Sequence, residues 1–575
     1  MKTKLLSLLI ALCGTLGYAQ LEPVTDESFG TFTPLFQYQG NLFVRQNIDD
    51  LETQGYDYQY YKINIATNAV TQMSVTDSAK PYFENGYWAP VINNGPLNPA
   101  FNPQFYGNTV YFSIFVGNQI IVKINTQANV IDIFDPGEIQ SLGGVQLVND
   151  RLYFGNGGND NYAYNGWIDL SDNAIYYQPY PMAFDVANSY AYSGGLFMSV
   201  RMPGDDIIGY DNYETVWAFY NLNDAPFPIV PVLPEDEYGA FILPQGFYPK
   251  GKPIVINNRL VYNSGYGGKI ISFNADDVLD RNFNILNLSD YSLQDYIVLN
   301  DGAIFYTYHY DVETATYSYK WYKTNGINTA VEINYMPTIS QWGFLAYFQT
   351  YSNWNSFQPA STGNSFVQVG NTTYFSTVDN QTGMGGNYTA KVYKMTSINS
   401  TPELIYTSSE VGNYDVKFAT EWQGNLVFYS EVENAIYTYN GTELYIDPQL
   451  NNFNAGGRSI QENNVEVTGI FKTDNDYLLV NTAQDGLFKI ENNLSVAEQK
   501  EKPSKVELYP NPVSETLYFS EPLTDIEVFD MTGRLQSTSK KHIAGLNVGN
   551  LPAGEYILKA KTGSGKENTI KFIKK

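Results

Sequence analysis

The chain is nearly without cysteine and histidine: among its 575 residues stand one Cys and two His. The single Cys13 sits in the extreme N-terminal segment. The chain beyond it therefore has no disulfide framework, no thiol nucleophile and no cysteine metal site. Basic residues are also few, with 33 Lys and Arg against 59 Asp and Glu, a formal charge of −26. A surface of that sign repels nucleic-acid phosphates and anionic lipid, so both are excluded as electrostatic partners. Residues 501–575 hold 11 basic and nine acidic side chains, so the acid excess lies upstream, where it favours extracellular solubility. Long apolar runs are missing as well. After Lys2 and Lys4 the run from Leu5 to Leu12 is too short to span a bilayer. Gly17-Tyr18-Ala19 supplies small residues for a signal peptidase, predicting a leader over 1–19 cut between Ala19 and Gln20. Lipidation at Cys13 would want a small residue where Leu12 stands. No later segment reads as a transmembrane helix.

What is present favours strands. Hydrophobic residues make up 43%, aromatics 15% and charged residues only 16%, and 49 positions are tyrosine. That is the composition of a globular, β-rich chain. A turn of Asn, Gly or Asp followed by an apolar strand recurs along it. The anchors are Gly40-Asn41, Gly107-Asn108, Asn149-Asp150, Gly194-Gly195, Asn258-Arg259, Asp301-Gly302, Gly370-Asn371, Gly424-Asn425 and Asp476-Tyr477. Several are followed by a second strand ending in a Lys-Ile-Asn-like signature, as at Lys62-Ile63-Asn64 and Lys123-Ile124-Asn125. The shortest intervals are about 42–45 residues, the length of one four-stranded propeller blade. Such meanders cannot bury their faces alone, and packing them around an axis does so.

Residues 20–497 thus resemble the degenerate β-propeller repeats of secreted bacterial proteins. The nine anchors predict eight blades, with seven the next count and the ring closed by strands from both ends. Tandem β-sandwiches or a solenoid are the alternative folds. Residues 498–505, charged and Pro-containing, read as a linker. Residues 506–575 carry Tyr509-Pro510-Asn511-Pro512, then Gly533-Arg534, then Pro552, Gly554 and Tyr556. Short strands are expected at 506–509, 516–519, 526–529, 556–560 and 569–573, forming a small β-sandwich. This segment resembles the type A C-terminal sorting domain of the type IX secretion machinery of Gram-negative bacteria. The resemblance implies export through the periplasm and outer membrane by that machinery, with cleavage in or near the linker and surface attachment or release.

Chemical motifs are sparse. His542 lies in the sorting segment, which leaves His309 as the imidazole of the main domain. In Phe305-Tyr306-Thr307-Tyr308-His309-Tyr310 it alternates with tyrosines along a strand, opposite Tyr308 and Tyr310. A polysaccharide lyase would use His309 with Tyr308 or Tyr310 as base and acid, yet adjacent strand residues face opposite ways. The acidic pairs Asp49-Asp50, Asp205-Asp206 and Asp276-Asp277 read as solvated turns rather than glycosidase carboxylates. Asn156–Asn161 and Asp474–Asp476 are oxygen-rich turns of a kind that binds Ca²⁺, without EF-hand spacing, and turn formation alone explains them. No cofactor is expected. Aromatic-rich insertions are the main functional signal: Tyr87, Trp88 and Phe105 in one, Trp342, Tyr351 and Trp354 in another, and Tyr238, Phe241, Phe247 and Tyr248 in a third. Rings beside amides suit stacking on sugars or anchoring a protein. The reading is a non-catalytic binding or scaffold module for a glycan or protein partner; a secreted carbohydrate-active enzyme, a lyase before a hydrolase, is the alternative.

Overall fold

The computed structural model describes residues 21–575 apart from 26–31, 51–54, 84–102, 116–118, 135–144, 156–164, 179–182, 185–188, 193–194, 204–212, 222–228, 232–253, 264–268, 275–282, 290, 329, 340–343, 347–365, 381–387, 409–415, 453–458, 462–463, 474, 484, 492–505, 507, 510–511, 532, 542 and 563–566. The leader and linker expected from the sequence lie outside the described residues. The chain divides into two compact units, Met1–Asn492 and Asn493–Lys575.

The first unit is a succession of antiparallel meanders. In the sixth, Ser292–Leu299, Gly302–Asp311, Thr316–Thr324 and Val331–Ile333 pair in chain order. The described residues form nine such sheets of four or five strands, one for each anchor and one more than the eight blades expected. The last anchor, Asp476, introduces a meander of its own rather than being absorbed in the closure. Only the outer strand of that ninth sheet is borrowed: Glu22–Pro23 pairs antiparallel with Gly486–Glu491, Glu22 opposite Lys489. The ring is thus closed by strands from both ends, as the repeat pattern predicted.

Consecutive sheets bury their faces against one another. Phe43 and Tyr60 of the first sheet meet Val110, Phe112 and Ile131 of the second. Tyr306 and Trp321 of the sixth meet Phe375 and Met395 of the seventh. Leu42 and Ile63 of the first also meet Phe471 and Leu479 of the ninth. With both faces covered, a strand such as Tyr477–Thr482 reads as a nearly continuous apolar run.

The repeat signature now has a physical reading. In the four-stranded sheets each anchor lies at the hairpin turn between the first two strands of the meander. Gln39 and Gly40 have φ of 50° and 72°, and Gln423 and Gly424 have 52° and 76°, the left-handed pair of a type I′ turn. At Gly40 a Cβ would also lie 2.3 Å from Nδ2 of Asn475, in the turn of the ninth sheet. In the Lys-Ile-Asn signature the isoleucine is core. The asparagine caps the turn to the fourth strand: Oδ1 of Asn64 accepts from the Thr67 amide, and Oδ1 of Asn125 from the Ala128 amide. The lysine reaches the next sheet. Lys62 Nζ donates to Thr126 O at 2.9 Å and Lys394 Nζ to Tyr439 Oη at 2.7 Å.

In the second unit the segments expected as strands 516–519 and 526–529 are one strand, Thr516–Asp530. Its first half pairs with Leu508–Tyr509 and Ile543–Asn547, its second with Leu535–Ser539 and Gly554–Thr562. Register shifts between Tyr518 and Leu523 and between Thr524 and Glu527 mark where it changes partners. Leu517, Phe519, Leu523, Val528, Leu558 and Phe572 fill the core.

Candidate functional site

Antiparallel alternation gives the sheets of the first unit two unlike ends. One end holds the turns after the first and third strands, and several neighbouring sheets are tied together there. Lysines reach across it as described, and Asp301 accepts from Ser397 Oγ at 2.6 Å and from the Ile398 amide at 2.9 Å. The other end holds the connections after the second strand and the passages between sheets.

The hairpin of Gly302–Asp311 and Thr316–Thr324 carries a ladder of rings toward that second end. Register sets Tyr306 opposite Trp321, Tyr308 opposite Tyr319, and Tyr310 opposite Tyr317, all on one face. The lowest row is buried and tightly packed. The Tyr306 ring is 4.6 Å from Trp321 and stacks on Tyr319 at 5.5 Å. Burial pushes the Tyr306 phenol strongly up, and its hydroxyl has no hydrogen-bond partner among the described residues. Exposure rises outward to 42% at Tyr310 and 49% at Tyr317, whose rings lie 4.8 Å apart. Residues of alternating parity belong to two cores: Ile304 and Tyr306 pack toward the seventh sheet, Phe305 and Tyr322 toward the fifth.

His309 lies on the opposite face, 5.5 Å from the ring of Tyr291, which enters from the passage between the fifth and sixth sheets. Tyr291 Oη and Ser318 Oγ share a hydrogen bond of 3.0 Å. Lys320 Nζ stands 4.9 Å over the Tyr291 ring and pairs with Glu332 at 2.8 Å, which raises the lysine's pKa. The structure therefore separates His309 from Tyr308 and Tyr310 and brings it to Tyr291. Sequence reasoning missed that partner because Tyr291 lies in the preceding connection, 18 positions away.

Phe105 is at the stapled end. Its ring stacks on Tyr38 at 4.6 Å, joining the second sheet to the first. Tyr87, Trp88, Trp342, Tyr351 and Trp354 lie outside the described residues, as do Tyr238, Phe241, Phe247 and Tyr248, Asn156–Asn161 and Asp474. Among the described residues no group of three or more His, Cys, Asp or Glu side chains converges. Nor is any helix among them long and apolar enough to cross a membrane. In the second unit, Gly533 has φ +81° and donates its amide to Asp530 O at 2.9 Å, while the Arg534 amide donates to Asp530 Oδ1 at 3.0 Å. Tyr556 stacks on Phe572 at 5.5 Å and donates its hydroxyl to Pro552 O at 2.8 Å. The Gly-Arg and Pro-x-Gly-x-Tyr motifs are thus turn and corner devices. Pro510 and Asn511 lie outside the described residues.

Residues 507–575 match the family of secretion system C-terminal sorting domains, those of type IX secretion. No curated protein matches the chain. Among solved structures it is similar to a prolyl endopeptidase, with 10% identity and a TM-score of 0.33 over 68% of this chain and 56% of that one. It is also similar to BamB from Moraxella catarrhalis, with 8% identity and a TM-score of 0.26 over 80% and 95%. A Pyrococcus horikoshii acylaminoacyl peptidase gives 9% identity and a TM-score of 0.30 over 80% and 59%. The chain thus spans little more than half the length of the two peptidases. At these scores the likenesses carry no argument about activity.

Proposed function

We propose that this protein is a type IX secretion cargo whose first unit is a non-catalytic binding module, taking a glycan or a protein partner at the end toward which the ladder of rings becomes exposed. The sorting domain implies export to the cell surface or the medium. The observation that supports a binding role is the ladder itself: rings grade from buried Tyr306 to half-exposed Tyr310 and Tyr317. A rigid hairpin holding amphipathic rings outward loses little entropy on contact with a ligand. Against the lyase alternative stands the strand alternation that sends His309 and its adjoining tyrosines to opposite faces.

The test is to incubate the purified chain with arrayed glycans and surface proteins while following ultraviolet absorbance from unsaturated sugar ends. Retention without such absorbance is expected. Appearance of unsaturated product would replace the binding reading with the lyase.

A further inference from the structure

We infer that the two outer rows of the ladder, Tyr308 with Tyr319 and Tyr310 with Tyr317, bind a neutral linear polysaccharide through the faces of its pyranose rings; this rests on the reading of that end as a binding end. Pyranose rings with equatorial hydroxyls expose faces of C–H groups, which suit the electron-rich faces of tyrosine, and phenol hydroxyls at the ring edge meet sugar hydroxyls. Two rows, spaced two residues apart along a stiff hairpin, present successive contacts to an extended chain rather than one pocket to a single sugar.

Charge decides the class. On this face the ring positions from Tyr306 to Trp321 carry no cation, and recognition of a carboxylate or sulfate calls for Arg or Lys. Lys320 stands on the other face and is held by Glu332 at 2.8 Å. The hairpin tip adds Asp311 and Glu313, and the whole chain carries −26, so a uronate polymer would be repelled. A protein partner would need a contiguous apolar surface around its anchors. Here the rings are bordered by Asp311, Glu313, Thr314 and Thr316, with Val312 and the small Ala315 as the apolar residues of the turn. The buried Tyr306 hydroxyl beneath the rows has no hydrogen-bond partner among the described residues.

The experiment titrates the full mature chain with cellohexaose, mannohexaose, hexagalacturonate and a proline-rich decapeptide by calorimetry, at low and high salt. Binding of a neutral hexasaccharide, little changed by salt, is expected. The Y310A/Y317A variant should bind at least about tenfold more weakly, and Y310F/Y317F within about threefold of the parent, because stacking rather than the hydroxyl carries the contact. Both positions are half-exposed, and an unchanged melting temperature verifies that the variants fold. Absence of binding by both neutral probes overturns the assignment. Neutral binding that survives Y310A/Y317A overturns its location. Binding of hexagalacturonate or the peptide, lost in Y310A/Y317A, overturns the ligand class while leaving the binding end standing.

Discussion

Lys489 Nζ donates to Ile65 O at 2.7 Å, joining the ninth sheet to the first across 424 positions of sequence. The same ammonium reaches Ala66 O at 3.3 Å and lies 5.2 Å over the Tyr477 ring. It repeats at the closure what Lys62 does between the first two sheets and Lys394 between the seventh and eighth. Lys489 is 6% exposed and Ile65 is buried, so removing the donor leaves the Ile65 carbonyl without its partner. Lys489→Met is expected to destabilise the first unit by about 1–3 kcal/mol, read as a lower denaturation midpoint. A midpoint equal to that of the parent would show that the closure does not depend on this contact.

Leu21 makes a second prediction about the closure. It is fully buried among Phe418, Leu450 and Ile460, and its amide donates to Asn452 O at 3.2 Å. Beside it the Val24 amide donates to Leu487 O at 2.7 Å, and the Leu487 amide to Thr25 Oγ1 at 2.9 Å. Leu21→Ala is expected to cost about 2–5 kcal/mol. Proteolysis of the ninth sheet should accelerate in this variant before that of the fourth or fifth. Uniform acceleration along the chain would argue against a local seam.

Stability should fall at both extremes of pH. Burial alone would raise the Asp132 carboxyl, but hydrogen bonds from Lys123 and Thr76 outweigh it and hold the group at about 2. A depressed carboxylate contributes stability above its ordinary range and loses it as pH falls toward 2. At the alkaline side, burial pushes Tyr153 and Tyr296 up to about 12. The unfolded chain releases those protons near the ordinary value of 10.0, so stability drops as pH climbs from there. Burial pushes Lys489 down, which works the other way in that window, but it is one ammonium against many buried phenols. Tyrosinate absorbance and loss of near-ultraviolet dichroism are expected to rise together. Ionisation of all tyrosines well before unfolding would contradict the burial of these rings.

Removal of residues 507–575 is expected to stop export in a host with type IX machinery, leaving a folded first unit in the periplasm. Immunoblots of periplasmic, surface and medium fractions read the result. Surface display of the truncated chain would mean that the sorting domain is dispensable.

Local chemistry carried much of the fold. Asn, Gly and Asp at positive φ write the hairpin turns, the asparagine of Lys-Ile-Asn writes the turn after the third strand, and Tyr-Pro-Asn-Pro with Gly-Arg marks the sorting domain. These depend on a few neighbouring residues, and so they are legible in one dimension. The count of nine sheets among the described residues was not, because the last meander completes itself with Glu22 and Pro23 from near the other end of the chain. Nor could the face that carries the ladder be read. Along the strand Tyr308 and Tyr310 neighbour His309, whereas pairing with Tyr317 and Tyr319 turns them into a ladder on the other side. Alone, the sequence determined the all-β repeat and the address for export. The tertiary structure decided how the ring closes, which end is stapled by lysines, and which tyrosines share a face. Those relations arise only when strands far apart in the chain are brought into register and packed.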